Sequence, residues 1–172
     1  IILSWCYRDS AEYCEKYGRL YTWAAAMDSV AAFSNDGKGC GFSVKCEPSE
    51  TVRGICPEGW HLPDTTEWRK LFDAVGGKDV AGKMLKSANG WNDYEGSSGN
   101  GLDAYGFSAL PAGYRSFGGN FSSAGNFAYF WSASEYNSSL AYYMDLLYSY
   151  ETAGMSYRDK GDGYSVRCLQ NN

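Results

Sequence analysis

Residues 56–71, CPEGWHLPDTTEWRKL, constrain this chain's fold more than any other stretch. Pro63 holds the backbone extended ahead of a helix. Asp64 stands three residues before Glu67, the spacing of a capping box, so a helix is predicted over Thr65–Val75. Trp68, Leu71, Phe72 and Val75 recur at helical spacing and form its buried stripe. Gly76-Gly77 stops it through a left-handed cap. His61, between Trp60 and Leu62, is expected to be a structural hydrogen-bonding residue.

The chain has 172 residues, enough for one real core, and no linker or internal repeat divides it, so 1–172 is expected to be a single domain. Six cysteines stand at Cys6, Cys14, Cys40, Cys46, Cys56 and Cys168, and none has the CxxC spacing of a zinc or redox site. An even number without metal spacing points to disulfides in a secreted or cell-surface protein. Cys6–Cys14 and Cys40–Cys46 are favoured as local closures among the fifteen possible pairings. That leaves Cys56–Cys168 to tie the middle of the chain to its end, which would stabilise by about 4–5 kcal/mol in the chain-entropy picture. The apolar start Ile1-Ile2-Leu3 reads as that of a mature or trimmed chain. No stretch approaches the roughly twenty apolar residues of a membrane span. A net charge of -5 without a basic run argues against nucleic acid as a partner.

Residues 1–20 read as a disulfide-closed loop running into a short strand at 18–21. Thr22 caps a predicted helix from Trp23 to about Phe33, with Trp23, Met27, Val30 and Ala31 on its apolar face. Residues 34–53 form a stapled loop, 80–86 a short helical piece and 87–105 a long loop of the kind that is often functional. Strands are predicted in GFSALPAGYR (106–115), FAYFWSASEY (127–136), LAYYMDLLYS (140–149) and GYSVRC (163–168). In the third, Tyr142, Met144, Leu146 and Tyr148 suit a core face, and Tyr143, Asp145, Leu147 and Ser149 an exposed one. Helices first and strands later predict an α+β fold.

The motifs CPEGWHLPDTTEWRKLFDAVGG, AGKMLKSANGWND, GFSALPAGYR, FWSASEY and SVRC, with SWCY and GRLYTWAAAM before them, together resemble the Fibrobacter succinogenes major paralogous domain over nearly the whole chain. The resemblance implies an exported or surface-anchored bacterial protein. It also implies a C-type-lectin-like fold: two main helices on a small, twisted, mostly antiparallel sheet with long loops. The HLP-x-x-x-EW element is similar to that of the formylglycine-generating enzymes, which use a cysteine pair near the C-terminus. Here that region offers Cys168 alone, assigned to a disulfide, so no enzymatic activity is expected.

Trp91-Asn92-Asp93 matches the WND that many C-type lectins use for calcium. Asn92, Asp93, Asn100 and Asp103 are therefore weak calcium candidates, since hard cations take carboxylate and amide oxygens. The match precedes the closing strands, and Glu47-Pro48-Ser49 is a poor echo of the usual partner motif. A polar turn with Trp91 packed on the core is the expectation, with no cofactor required.

From Tyr114 onward Tyr, Ser, Gly, Asn and Phe dominate, the palette of antibody binding loops. Many relatives are Asn-rich here. This chain instead carries a mixture at Ser116, Phe117, Ser122, Ser123, Phe127, Tyr143, Asp145, Leu147, Ser149, Tyr150, Ser156, Arg158 and Asp159. All these residue types follow from adenine substitution in an Asn codon, the spectrum of diversity-generating retroelements. The expected ligand-binding residues are Ser116, Phe117, Phe127, Tyr143, Asp145, Leu147, Ser149, Tyr150, Tyr157 and Arg158. The expected function is adhesin-like binding of a glycan or a surface protein of another cell. The alternative is a structural subunit of a surface filament or cell-envelope assembly, and an accessory module of a carbohydrate-active enzyme is a third reading.

Overall fold

From the N-terminus the elements are β1 (Ser4–Trp5), a 3-10 turn (Tyr7–Asp9), α1 (Ala11–Tyr17), β2 (Leu20–Tyr21), α2 (Trp23–Ala26), β3 (Trp60–His61), α3 (Thr65–Ala74), α4 (Lys78–Leu85), β4 (Tyr114–Arg115), β5 (Phe121–Ser122), β6 (Phe127–Glu135), β7 (Leu140–Leu147), β8 (Ala153–Asp159) and β9 (Leu169–Gln170). This computed structural model describes residues 3–48 and 50–172. The apolar start at Ile1 and Ile2, and Ser49 of Glu47-Pro48-Ser49, lie outside them.

The centre is the antiparallel sheet β6-β7-β8, surrounded by the pairs β1-β2, β3-β9 and β4-β5. Helices α3 and α4 cover one face. Trp68, Phe72, Val75, Ala81 and Leu85 pack there on Phe130, Met144, Leu146 and Ala153. On the other face Trp131 and Tyr143 pack with Trp23, Met27, Leu62 and Tyr164. The molecule is thus a mixed helix-and-sheet domain with small antiparallel sheets and three disulfides: Cys6–Cys14, Cys40–Cys46 and Cys56–Cys168. Such disulfides fit folding in an oxidising, extracytoplasmic compartment. Among the described residues no helix is long and apolar enough to cross a membrane.

The stretch at 56–71 folds as its sequence dictates. Asp64 accepts from Glu67 N at 2.8 Å while Glu67 Oε2 accepts from Asp64 N at 3.0 Å. Gly76 and Gly77 stop α3 at φ 109° and 99°, and Gly77 N donates to Phe72 O at 2.8 Å. The other Glu67 oxygen, Oε1, meets His61 Nε2 at 2.8 Å, and His61 Nδ1 meets Asn171 Oδ1 at 2.6 Å. Burial opposes protonation of His61, but these two bonds outweigh it and raise its pKa. His61 therefore joins the helix cap to the C-terminal strand, beside the Cys56–Cys168 bridge.

Several expectations are corrected. The helix predicted to reach Phe33 ends at Ala26. Asp28 takes φ 55° and accepts from the backbone N–H of Ala32, Phe33 and Ser34 at 2.9, 2.6 and 2.8 Å. Local side-chain bonds of this kind compete with helix formation, and Val30, expected on the apolar face, is 61% exposed. Residues 11–17, predicted as loop, are helical. Of GFSALPAGYR, Tyr114–Arg115 alone is a strand. GYSVRC is no strand either: Gly163, Tyr164 and Ser165 bridge Arg115, Tyr21 and Phe130 in turn. Residues 153–159, not foreseen, supply the third strand of the central sheet.

The stapled loop is held by a buried charge. Lys160, 1% exposed, donates to Gly41 O at 3.2 Å and Val44 O at 3.0 Å and pairs with Glu135. Its three N–H donors are all used, and its Nζ lies 4.5 Å over the Trp23 ring. Glu135 also accepts from Cys46 N at 2.9 Å.

Candidate ligand-binding face

Register decides which side chains share the face away from α3 and α4. Phe127 pairs with Leu147, Tyr129 with Asp145, and Trp131 with Tyr143. Across β7 and β8, Asp145 pairs with Gly154, Tyr143 with Ser156, and Ala141 with Arg158. Side chains alternate along a strand, so these residues lie on one side of the sheet. The predicted grouping of Tyr143, Asp145 and Leu147 opposite Met144 and Leu146 is present.

The predicted exposure of Tyr143 is not. It is 6% exposed, because the segments around Tyr114 and Tyr164 fold over that end of the face. Ring centroids are 4.9 Å apart for Tyr129–Tyr143, 5.2 Å for Tyr129–Tyr164, 5.0 Å for Tyr143–Tyr164 and 5.5 Å for Tyr114–Tyr129. Trp131 stacks on Tyr164 at 4.3 Å. This aromatic floor lies beside a cavity of about 500 Å³ whose walls include Tyr114, Ser116, Tyr129, Arg158 and Asp162. Burial pushes the phenol pKa values of Tyr129, Tyr143 and Tyr164 upward. Asp162 is raised by burial too, against the bonds it accepts from Phe117 N at 2.7 Å and Tyr164 Oη at 3.0 Å.

Asp145 differs from these. Burial alone pushes its pKa up to about 6, and among the described residues no hydrogen bond or ion pair reaches its carboxylate. Arg158, on the same face, has its pKa raised by Tyr143 first.

Of the predicted residues, the structure gathers Ser116, Phe127, Tyr143, Asp145, Leu147 and Arg158 about this face. It sends the others elsewhere. Phe117 is 62% exposed and stacks on Phe42 at 5.7 Å. Ser149 and Tyr150 lie in the β7–β8 turn, which buried Lys86 pins through Leu147 O and Tyr150 O at 3.0 Å each. Burial lowers the Lys86 pKa to about 8. Tyr157 borders the cavity, but its ring turns to the opposite side and stacks on Tyr136 at 3.8 Å and 3°. Tyr129, Tyr114, Tyr164 and Gly154 are the residues that sequence reasoning missed. The alternation of Phe127, Tyr129 and Trp131 carried a signal for Tyr129; nothing local marked Tyr164.

Three of the four calcium candidates make hydrogen bonds within or beside the loop. Asn100 Oδ1 accepts from Trp91 N at 3.0 Å, and both Asp103 oxygens accept from Ser108. Asn92 Nδ2 donates to Asn126 Oδ1 at 2.9 Å, and Asp93 is exposed. Among the described residues no group of three or more His, Cys, Asp or Glu side chains converges on a metal position. Trp91 is buried, its indole N–H within 3.1 Å of Ser87 Oγ and Ala109 O.

The chain belongs to the Fibrobacter succinogenes major domain family, whose family model matches residues 3–170. Neither a search of curated proteins nor one of solved structures returned a significant match.

Proposed function

We propose that this family member is an exported, non-enzymatic binding domain of C-type-lectin-like fold that presents the outer face of β6-β7-β8 to a glycan or a protein on another cell. The observation that carries the reading is the aromatic floor beside a cavity of about 500 Å³ bordered by Ser116, Arg158 and Asp162, with Asp145 farther along the same face. Half-open aromatic surfaces with a few fixed polar groups are typical of binding sites. Retroelement diversification of the exposed positions is part of the same proposal and follows from the residue types alone. The test is binding of the labelled domain to an immobilised glycan panel and to intact cells. Phe127→Ser, Leu147→Ser and Arg158→Ala should each weaken binding by about tenfold or more with folding retained. Unchanged binding in all three would sink the reading.

A second reading, a subunit of a surface or envelope assembly, is favoured by the stacked Phe42–Phe117 pair, 46% and 62% exposed. Native mass spectrometry that finds oligomers dispersed by Phe117→Ser would support it.

A further inference from the structure

We propose that the ligand of this face is a basic side chain, a lysine ammonium or arginine guanidinium of a partner protein, received by the Asp145 carboxylate. The inference rests on the reading of this face as a binding surface and adds the chemistry of what it binds.

Asp145 stands mid-strand in the central β7, with Tyr129 on one side and Gly154 on the other. A carboxylate is an acceptor with about four lone-pair sites, and none of them is used by the described residues. Among the described residues none supplies it a cation. Arg158, on the same face, pairs in register with Ala141, four residues along β7 from Asp145, and its pKa is raised by Tyr143 first, with Tyr164 and Asp162 adding to it. Space has been left for the charge. A Cβ at residue 154 would lie 2.6 Å from Asp145 Oδ1 and 2.8 Å from Oδ2. A glycine inside a strand weakens it and marks close approach of another group; here that group is the free carboxylate.

The surroundings select among donors. A sugar hydroxyl would satisfy lone pairs and leave the charge uncompensated. A cation cancels the charge through a stronger, charge-assisted bond. Its alkyl stem would lie along Phe127, Tyr129 and Leu147, where ring faces attract positive charge. The chain's net charge of -5 also draws a basic partner.

The experiment is an amide chemical-shift titration of the isotopically labelled 172-residue chain with acetyl-arginine amide, its neutral isostere acetyl-citrulline amide, and methyl glucoside. The arginine probe should saturate shifts at Tyr129, Asp145 and Gly154. Affinity should fall by about tenfold or more for the citrulline probe and in Asp145→Asn, the loss expected when a charged hydrogen-bond partner is removed. Gly154→Ala, which crowds the carboxylate, should weaken binding as well. Arginine-induced shifts that lie elsewhere, or that survive Asp145→Asn, overturn the inference. Saturable binding of the glucoside at the same amides, independent of Asp145, overturns the cation and leaves the binding face standing. Silence of these amides to all three probes overturns the cation too, and the glycan and whole-cell assays then decide the face separately.

Discussion

Asp145→Asn should make the protein more stable at neutral pH. Burial has pushed the Asp145 pKa to about 6 from 3.8. The folded state therefore holds this proton more tightly than the unfolded chain. The penalty for its charge is absent below about pH 3.8, grows as pH rises to about 6, and is constant above that. A shift of about two units corresponds to a ceiling near 3 kcal/mol. The carboxylate still reaches solvent, so screening reduces the expected gain to about 1–2 kcal/mol. In a chain of this size that is a rise of about 2–8 °C in Tm. Urea denaturation followed by tryptophan fluorescence, disulfides intact, at pH 7 and at pH 3.5 measures it. The variant should be more stable at pH 7 and indistinguishable from the wild type at pH 3.5. A loss of stability at pH 7 would show that the carboxylate has partners after all. An equal gain at both pH values would show that its charge is not the cause. A residue that costs stability and is needed for binding is the expected trade-off at a functional site.

Lys160→Met should cost about 3–5 kcal/mol by stranding the buried Glu135, and adding Glu135→Leu should restore part of it; denaturant curves of the single and double variants test this. Tyr143→Ala should cost about 3–5 kcal/mol by opening a cavity under the aromatic floor, while Tyr143→Phe should retain nearly full thermal stability. Asp28→Ala should cost about 3 kcal/mol or more by leaving three backbone N–H groups unpaired. Burial works against the Asp28 charge, but those three bonds hold its pKa below the usual carboxylate range. Its contribution is therefore present above about pH 3.8 and lost as pH falls through the lower folded value, so acid titration of the variant should lack that phase.

What was legible in the sequence depended on how local its cause was. The cap, stripe and stop of α3 all lie within residues 64–77, and each is visible there. The two short disulfides are local closures, and the third follows once they are set. The helix expected at 23–33 failed for a reason just as local. Asp28 offers the backbone a competing set of bonds, and helical periodicity does not register that competition. The α1 segment was hidden by its own disulfide, although Glu12 and Lys16 stand at a helix-supporting spacing. The β8 strand was missed because Gly154 and Ser156 dilute its pattern, and the reason for Gly154 is a side chain on the neighbouring strand.

The candidate site shows the same limit in a sharper form. Alternation in β7 tells which residues share a face, but not what the rest of the chain lays over it. Tyr143 and Asp145 are equivalent by period and opposite in fate. One is sealed at 6% exposure beneath Tyr164, and the other is left half-open with no partner among the described residues. The proposal of diversification inherits that difference. A position can vary freely only where substitution leaves the core intact. Tyr143, which packs against Tyr129 and Tyr164, tolerates little beyond another aromatic ring. Variation should therefore concentrate at Phe127, Asp145, Leu147 and Arg158 on the face, and at Phe117 and Tyr150 in the flanking loops. Closely related chains that vary as widely at residue 143 as at these positions would contradict both the buried floor and the site built upon it.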